Sequence, residues 1–281
     1  MDMQIYAHRG SSGSFAEHTR AAYLQALADG ADGVECDLHL TADGHLVLLH
    51  DDAVDRTSDG SGAVADKSLA ELRGLDFCGW KGAAIPAAYG TPSEQLLTLD
   101  GLLDILAAAG RPVGLAIEFK FGAGFEARLV DATLECLGRR GWHAADSMAG
   151  NVDVSFMSFH PDAVNYLAER VPAGRLCQLL EEVNPGEPDV GGAAGAMFMR
   201  QSGSEALLDD GVAHLAGPGV DYLRANPGNA SRWLAAGRTL RVWTVDTAQE
   251  LQLCRDAGVA ELTTNWPAQL RALMAELPGA S

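Results

Sequence analysis

Residues 33–50, GVECDLHLTADGHLVLLH, contain the local pattern that decides the fold. GVECDLHL alternates apolar with polar residues, as a strand does, and the β-rich run HLVLLH follows after only a few positions. These positions leave no room for a helix, and Asp43-Gly44 between two such runs is a strong hairpin signal. The stretch therefore predicts two antiparallel strands joined by a tight turn.

The register of this hairpin determines which side chains meet. If residues 43–44 form a two-residue turn, His50 lies directly opposite Asp37 on the neighbouring strand. Opposite residues share a face with Cβ atoms ~5 Å apart, and Glu35, two positions from Asp37, lies on the same face. We therefore expect Glu35, Asp37 and His50 to form one cluster, a geometry that a turn longer by one residue would change.

Paired carboxylates in strands indicate a metal site. A shared divalent cation would hold the like charges of Glu35 and Asp37 together, although a solvated strand face is an alternative. In LAIEFK, Glu118 and Lys120 share a face near the end of an apolar run, where a surface ion pair is the alternative. Together, Glu35, Asp37 and Glu118 would form an all-oxygen site, which favours Mg²⁺, Ca²⁺ or Mn²⁺ over zinc.

The motif YAHRG at residues 6–10 places His8 and Arg9 at the end of the first apolar run. Buried in a strand they would cost desolvation energy, but at a strand end beside a cleft they can move a proton and bind an anion. With oxygens holding the metal, His8 and His50 remain free for acid–base chemistry. Arg9 and Lys120 would then bind phosphate oxygens.

Helical patterns separate most β-rich runs in the rest of the chain, and segments 98–110, 125–141 and 247–258 each end in a glycine. This alternation predicts parallel strands with crossover helices, and the number of repeats favours a TIM (β/α)8 barrel. A doubly wound sheet is the alternative, but no GxGxxG follows the first strand. The predicted strands are QIYAH, GVECDLHL, HLVLLH, PVGLAIEF, DVSFMSF, RLCQLLE, VDYLRAN, TLRVWTVD and AELTTN.

Residues 51–98, rich in Gly, Ser and Pro, interrupt the alternation and hold one short helical pattern, KSLAELRGL. We interpret them as a small insertion in a single barrel domain over residues 1–281. Excursions at the carboxyl ends of barrel strands usually shape the active site. The insertion is therefore expected to border the cluster of candidate catalytic residues.

Composition narrows the partners. The chain has 281 residues, 47% of them hydrophobic, and a formal net charge of −18. Nucleic acids and anionic membranes need basic surfaces, so neither is expected as a partner. Five cysteines without C-x-x-C spacing predict free thiols. With no membrane-length apolar run and no secretion signal pattern, we expect a cytoplasmic protein without stable membrane association.

Several motifs, taken in order and at similar spacings, resemble the glycerophosphodiester phosphodiesterase family over most of the chain. The ordered set is more specific than any single motif. The segments that carry the resemblance are AHRG, EHTRAAYLQALADGADGVECDLHLTADGHLVLLHD, DRTSDGSGAVADKSLAELRGLD, IEFK, VWTVD and TTNWP.

The resemblance implies a TIM barrel with a small insertion after the hairpin strand. It also implies a role for each candidate: metal ligation by Glu35, Asp37 and Glu118, acid–base catalysis by His8 and His50, and phosphate contacts by Arg9 and Lys120. Trp243 is expected to line the pocket and pack on the glycerol, with a core tryptophan as the alternative. Two positions depart from the family pattern, because His18 replaces an asparagine and Asn265 replaces an aspartate.

We therefore expect metal-dependent hydrolysis of a small-molecule glycerophosphodiester to sn-glycerol 3-phosphate and an alcohol. Either histidine can be the acid, and the nucleophile is water or the glycerol 2-hydroxyl. One alternative is a phospholipase D-type enzyme of the same fold acting on lysophospholipids, although no amphipathic membrane-binding segment is evident. The other is a non-catalytic phosphate-ligand-binding protein, which would have no need for two proton carriers. The sequence leaves the preferred alcohol and the oligomeric state open.

Overall fold

The computed structural model describes residues 3–121, 124–182 and 202–276. Within them, eight parallel strands form a closed barrel with helices, as the alternation predicted, and pairing of the first strand with the second closes it. The strands are β1 (Gln4–Ala7), β2 (Gly33–Leu40), β3 (Leu46–Leu48), β4 (Val113–Phe119), β5 (Met148–Ala149), β6 (Val152–Ser158), β7 (Leu176–Leu180), β8 (Leu215–Pro218), β9 (Thr239–Val242) and β10 (Glu261–Thr264). β3 and β5 lie outside the barrel and pair antiparallel with β2 and β6.

Helices connect the barrel strands, and several begin where a threonine can cap them. The side chains of Thr19, Thr98 and Thr247 each accept a hydrogen bond from a first-turn amide, which satisfies a donor that the helix leaves unpaired. The helices are α1 (Arg20–Ala28), α2 (Leu69–Leu72), α3 (Leu99–Ala107), α4 (Ala127–Arg139), α5 (Pro161–Ala168), α6 (202–209), α7 (Val220–Ala225), α8 (Pro227–Ala235), α9 (Ala248–Asp256) and α10 (Pro267–Glu276). Among the described residues, no helix has the length and apolar character needed to cross a bilayer.

β2 shows how the sequence pattern places functional groups. Val34, Cys36 and Leu38 are buried in the main apolar core, where each large apolar side chain contributes about 1.5–3 kcal/mol. Alternation then puts Glu35 and Asp37 on the opposite face. The apolar face thus anchors the strand, and the acidic face is presented to the interior of the barrel.

The hairpin after β2 forms, but its turn is longer than predicted. The Thr41 amide donates to the His45 carbonyl at 2.9 Å, and the Gly44 amide donates to the Thr41 carbonyl at 3.0 Å. Gly44 has a φ of 81°, the left-handed value required at the end of a three-residue hairpin loop. The predicted two-residue turn at 43–44 is therefore wrong by one residue, because the loop consists of residues 42–44.

This longer turn also shifts the register between the two strands. Leu38 pairs with Leu48, and the Leu49 amide donates to the Asp37 carbonyl at 3.3 Å. The prediction that His50 lies directly opposite Asp37 is therefore wrong, since His50 lies beyond the end of β3. Its position depends on the chain after the hairpin rather than on strand pairing.

The predicted strand VDYLRAN at 220–226 is also wrong. Val220–Ala225 forms helix α7, and the barrel strand lies just before it at Leu215–Pro218. That strand reads LAGP, and glycine and proline are both disfavoured in strands. Tertiary pairing with β7 and β9 therefore overrides the local propensity on which the prediction relied.

Residues 51–98 lie between β3 and α3 and add no strand to the barrel. They have their own apolar cluster, in which Val54, Leu72 and Phe77 join Val47 of the hairpin. The N-cap residue of α2, Ser68, forms a reciprocal capping box that fixes the start of the helix. The segment is thus packed against the hairpin, directly after the position of His50.

Candidate active site

Three buried carboxylates meet near the carboxyl ends of β2 and β4. Asp37 pairs in register with Glu118 across the two strands, and Glu35 lies two positions before Asp37. One oxygen from each residue lies within 4.8 Å of the other two. Asp37 and Glu35 are each 1% exposed, and Glu118 is 7% exposed. Three acids this close and this buried require positive partners or protons.

These carboxylates have unused capacity to bind a cation. Glu35 Oε1 is buried and accepts no hydrogen bond, whereas the buried Asp37 Oδ1 and Glu118 Oε1 are paired with the Lys120 ammonium. Burial, followed by the two neighbouring carboxylates, raises the pKa of Glu35 well above its usual range, and burial raises the pKa of Glu118 to about 8. A divalent cation would remove both penalties. The carboxylate triad is therefore compatible with a divalent metal ion held by oxygen ligands.

Asp37 is the ionised member of the triad. Burial alone would raise its pKa, but Lys120, the hydrogen bond from His18 and the charge of Arg9 together hold it well below its usual range. Lys120 Nζ lies 3.2 Å from Asp37 Oδ1 and 2.5 Å from Glu118 Oε1. Lys120 therefore bridges two of the three acids.

His18 is directly bonded to the triad, a contact that the sequence did not reveal. Its Nε2 donates to Asp37 Oδ2 at 2.9 Å, and its Nδ1 lies 2.9 Å from the Tyr23 hydroxyl. The Tyr23 hydroxyl in turn lies 3.1 Å from the Glu35 carbonyl. His18 thus orients Asp37 through its Nε2 hydrogen bond. The sequence flagged His18 only as a departure from the family pattern.

Arg9 ties the loop after β1 to the carboxylate triad. Its backbone amide donates to Glu35 Oε2 at 3.0 Å, and its Nε lies 3.2 Å from Asp37 Oδ2. Its Nη1 donates to Glu17 Oε1 at 2.9 Å. Arg9 and Lys120 supply local positive charge that a protein of net charge −18 needs to bind an anion.

His8 is held by a residue that follows β10, the strand that pairs with β1. Its Nδ1 lies 2.8 Å from Asn265 Oδ1, in the loop after β10. Burial and the charge of Arg9 lower the pKa of His8 to about 3. The ring is therefore neutral at neutral pH and can accept a proton.

His50 has a carboxylate partner from the start of the insertion. Its Nδ1 lies 2.7 Å from Asp51 Oδ1, and the side chain is 34% exposed. Arg56 then donates to Asp51 and to Glu17, both at 2.7 Å. Burial and Lys120 lower the pKa of His50, while Asp51 counteracts this effect.

Glu17, Asp51 and Arg56 received no role from the sequence. Asp51 follows a candidate catalytic histidine, which was a usable signal for a hydrogen-bond partner. Arg56 and Glu17 are 39 positions apart and meet only in the folded chain. Their ionic network joins Arg9 to His50 and could not have been read from local pattern.

The candidate residues line one cavity of about 230 Å³. Asp37 lies directly behind its wall, in contact with Lys120. Trp243 also lines the cavity, edge-to-face with Phe159 at a centroid distance of 5.5 Å, and its Nε1 donates to the Gly217 carbonyl at 2.8 Å. The predicted residues that line the cavity are His8, Arg9, Glu35, His50, Glu118, Lys120 and Trp243.

Arg241, which the sequence did not single out, also borders this cavity. It is 2% exposed, donates to Glu261 at 2.5 Å and to Ser155 at 2.9 Å, and lies over the Tyr6 ring. The signal was a lone arginine inside the apolar run TLRV. Because Glu261 neutralises its charge, Arg241 borders the cavity as part of an ion pair and does not add a free cation.

Comparison with known proteins gives this geometry a family context. The family model described as the glycerophosphoryl diester phosphodiesterase family matches residues 8–269. A Mycobacterium tuberculosis protein named probable glycerophosphodiester phosphodiesterase 1 is 36% identical over 269 residues, covering 95% of this chain and 91% of the relative. A Bacillus subtilis glycerophosphodiester phosphodiesterase is 30% identical over 264 residues, covering 93% and 83%.

Solved structures share the fold. A phosphodiesterase of Oleispira antarctica, in complex with the product sn-glycerol-3-phosphate, superposes with a TM-score of 0.78 at 23% identity and covers 97% of both chains. A putative glycerophosphoryl diester phosphodiesterase from Agrobacterium tumefaciens has a TM-score of 0.75 at 24% identity and covers 98% of both chains. At these identities the structures establish the barrel architecture.

Proposed function

Because this chain belongs to the glycerophosphoryl diester phosphodiesterase family and is an enzyme of that activity, we propose that it cleaves small glycerophosphodiesters by metal-dependent acid–base catalysis. The products are sn-glycerol 3-phosphate and an alcohol. The observation that carries the proposal is one cavity lined by both histidines, two of the three acids and both phosphate-binding candidates: His8, His50, Glu35, Glu118, Arg9 and Lys120. The product bound to the Oleispira antarctica phosphodiesterase supports a small-molecule substrate of this class.

Glu35, Asp37 and Glu118 would hold the divalent cation, Glu35 through an oxygen that has no hydrogen bond and the other two through oxygens that pair with Lys120. When bound, the cation would polarise a phosphoryl oxygen and anchor substrate hydroxyls. The oxygen ligands favour Mg²⁺, Ca²⁺ or Mn²⁺. His18 holds Asp37 in one orientation, so that its Oδ1 stays directed toward the other two acids.

Arg9 and Lys120 bind and orient the phosphodiester in this proposal. A guanidinium matches two phosphate oxygens at once, and an ammonium adds a point charge. Trp243, which lines the cavity beside Phe159, packs against the carbon face of the glycerol. The substrate is thereby placed between the two histidines, which lowers the entropic part of the barrier.

The two histidines divide the proton transfers. His8 is neutral at neutral pH, so its Nε2 accepts the proton of the nucleophile, which is water or the glycerol 2-hydroxyl. His50, beside the Asp51 carboxylate and more exposed, carries the proton that passes to the leaving alcohol oxygen. The pKa values of both rings are lowered, but that of His8 falls to about 3, whereas the hydrogen bond to the Asp51 carboxylate at 2.7 Å opposes the lowering at His50; this difference supports the assignment.

The proposal needs no macromolecular partner. A net charge of −18 disfavours nucleic acid and anionic lipid surfaces. All five cysteines are free, and Cys36, Cys136, Cys177 and Cys254 are buried, which is usual in a reducing compartment. We therefore propose a cytoplasmic enzyme.

The test uses purified protein, glycerophosphocholine and a direct assay for sn-glycerol 3-phosphate. Activity should be absent in EDTA and should return with Mg²⁺, Ca²⁺ or Mn²⁺. Glu118→Gln should weaken metal binding by ~100-fold or more, because even an outer partner of a ligand is worth 10–100-fold. The matched control is Glu135→Gln, whose side chain is 75% exposed and pairs only with Arg139 on the surface of α4.

Full activity in EDTA would contradict metal dependence. Equal metal affinity of Glu118→Gln and wild type would contradict the assignment of Glu118 as a ligand. Faster cleavage of a lysophospholipid than of glycerophosphocholine would favour the phospholipase D-type alternative. Binding of both substrates with no product from either would favour a non-catalytic protein.

A further inference from the structure

We propose that Asn265, held in place by Asp246, is a positioning residue that fixes the Nδ1-protonated tautomer of His8 and directs an unprotonated Nε2 toward the scissile phosphodiester. The proposal rests on the role given to His8 under the proposed function. It assigns a task to the position where this chain departs from the aspartate of the family pattern.

Asp246 determines which way the Asn265 amide faces. Asn265 Nδ2 donates to Asp246 Oδ2 at 2.5 Å, and the Asn265 backbone amide donates to Asp246 Oδ1 at 2.9 Å. Thr264 Oγ1 donates to the same Asp246 Oδ1 at 2.7 Å. A carboxylate only accepts hydrogen bonds, so the amide nitrogen must face Asp246 and the amide oxygen must face His8.

The oriented amide oxygen then determines the tautomer of His8. Asn265 Oδ1 lies 2.8 Å from His8 Nδ1 and accepts from Ser12 Oγ at 2.7 Å. Since an amide oxygen cannot donate, His8 Nδ1 must carry the proton. In the neutral ring the lone pair is then on Nε2, on the side of His8 that faces away from Asn265. A base with this lone pair is ready to receive a proton.

The amide also holds His8 without adding a negative charge to it. A carboxylate at residue 265 would stabilise the imidazolium and raise the pKa of His8, whereas the neutral amide leaves burial and Arg9 dominant. The titratable groups that face His8 or share its cavity are Arg9, His18, Glu35, Asp37, His50, Glu118, Lys120, Glu181 and Arg241. Asp246 is shielded from the ring by the amide between them. The arrangement therefore favours a neutral base over a proton donor.

Three variants test the arrangement in the metal-loaded enzyme with glycerophosphocholine. Asn265→Ala and Asp246→Asn should each lower kcat by about 10²-fold, the effect of a misplaced reacting group, with little change in KM. The exchange variant Asp246→Asn/Asn265→Asp restores an acceptor for His8 Nδ1 and should recover most of the activity at pH 8. Because the new carboxylate raises the pKa of His8, its activity should begin to fall about one to two units higher on acidification.

The readout independent of activity is the ring ¹⁵N spectrum of His8 in histidine-labelled protein, assigned with His8→Gln. Wild type should show protonated Nδ1 and unprotonated Nε2 across the range in which it is folded, whereas Asn265→Ala should show mixed tautomers. Asn151→Ala is the control, because Asn151 also makes two hydrogen bonds, to the Leu106 and Arg111 carbonyls, but is remote from the cavity residues.

An unchanged His8 tautomer in Asn265→Ala, or an exchange variant with the wild-type pH profile, would overturn the positioning role. Equal kcat loss in Asn151→Ala would show a general structural effect and would also overturn it. Failure of wild type to hydrolyse any glycerophosphodiester would instead contradict the proposed function, while the spectrum would still test the tautomer.

Discussion

The two candidate catalytic histidines line the same cavity but are held by different parts of the molecule. His8 lies at the end of β1 and is fixed by a neutral amide from the barrel, Asn265. His50 follows the hairpin and is fixed by a carboxylate, Asp51, which Arg56 of the insertion holds in turn. One histidine therefore depends on the barrel, and the other depends on a partly exposed ionic network.

The difference between these supports suggests how one cavity can hold a base and an acid. A buried ring beside Arg9 and an amide loses its proton readily, and burial lowers the pKa of His8 to about 3. A ring beside a carboxylate and partly open to water keeps its proton more easily. The roles of chemically identical side chains are thus set by their partners, as in enzymes that use two carboxylates for opposite tasks.

Removing either imidazole should give the largest effect on turnover. His8→Ala and His50→Ala should each lower kcat for glycerophosphocholine by ~10²–10⁴-fold, the usual contribution of a positioned acid or base. His45→Ala is the control, since His45 lies in the hairpin loop with its side chain 53% exposed. Steady-state kinetics at saturating metal decide this, and a variant of His8 or His50 that retained wild-type kcat would exclude that residue from catalysis.

In the absence of metal, repulsion within the carboxylate triad on the barrel strands should make the stability of the protein depend on pH. The pKa of Glu118 is raised to about 8 in the folded state, so the folded protein binds more protons than the unfolded chain between the ordinary carboxyl pKa and 8. The free energy of unfolding therefore falls as pH rises through this window. Glu118→Gln removes this group, so its Tm in EDTA should decline less between pH 5 and pH 8.

Glu135→Gln should retain the wild-type decline, and Mg²⁺ should reduce the decline in wild type and Glu135→Gln but have less effect on Glu118→Gln. A Tm that declines equally in wild type and Glu118→Gln over this window would contradict the triad electrostatics.

Removing Arg56 alone should weaken the support of His50 by the insertion, because Arg56 holds Asp51. Arg56→Ala releases Asp51 and Glu17 together; partly exposed ion pairs contribute up to about 1 kcal/mol, so kcat should fall about fivefold. Added salt should lower wild-type activity and have less effect on Arg56→Ala, because the screened pairs are already absent. Arg73→Ala, also in the insertion and exposed, is the control. Equal salt sensitivity in Arg56→Ala and Arg73→Ala would show that the ionic network does not support His50.

The smallest effect on activity is expected from the hairpin turn. Gly44 has a φ of 81°, so Gly44→Val should cost about 1–2 kcal/mol of stability. Because His50 lies beyond β3 and is held by Asp51, kcat of the folded variant should stay close to wild type. Thermal unfolding and kinetics on the same sample test both statements. A loss of kcat as large as that of Arg56→Ala would show that the hairpin, rather than the insertion, positions His50.

The barrel-held part of the site was more predictable from sequence than the insertion-held part. The predicted limits of β2, residues 33–40, are those observed, because its alternation is sustained and one face is apolar. The same alternation placed Glu35 and Asp37 together without tertiary information. Strand β8 was missed because LAGP carries almost no strand propensity, and only pairing in the barrel makes it a strand.

Contacts between distant segments could not be predicted. The hairpin register failed by one residue because two- and three-residue loops share the same Asp-Gly signal. His50 still reached the cavity, through packing of the insertion rather than through strand pairing. The bonds from His18 to Asp37 and from Arg56 to Glu17 depend on side-chain positions that only the closed barrel defines.

The most direct test of the division between His8 and His50 is to change the leaving group. A glycerophosphodiester with a p-nitrophenyl group releases p-nitrophenolate, which needs no proton, so a missing general acid should matter little and a missing base should matter as before. We predict that His50→Ala regains most of its lost kcat on this substrate and that His8→Ala does not. Rescue of His8→Ala alone would reverse the roles, and equal behaviour of both variants would contradict separate acid and base functions.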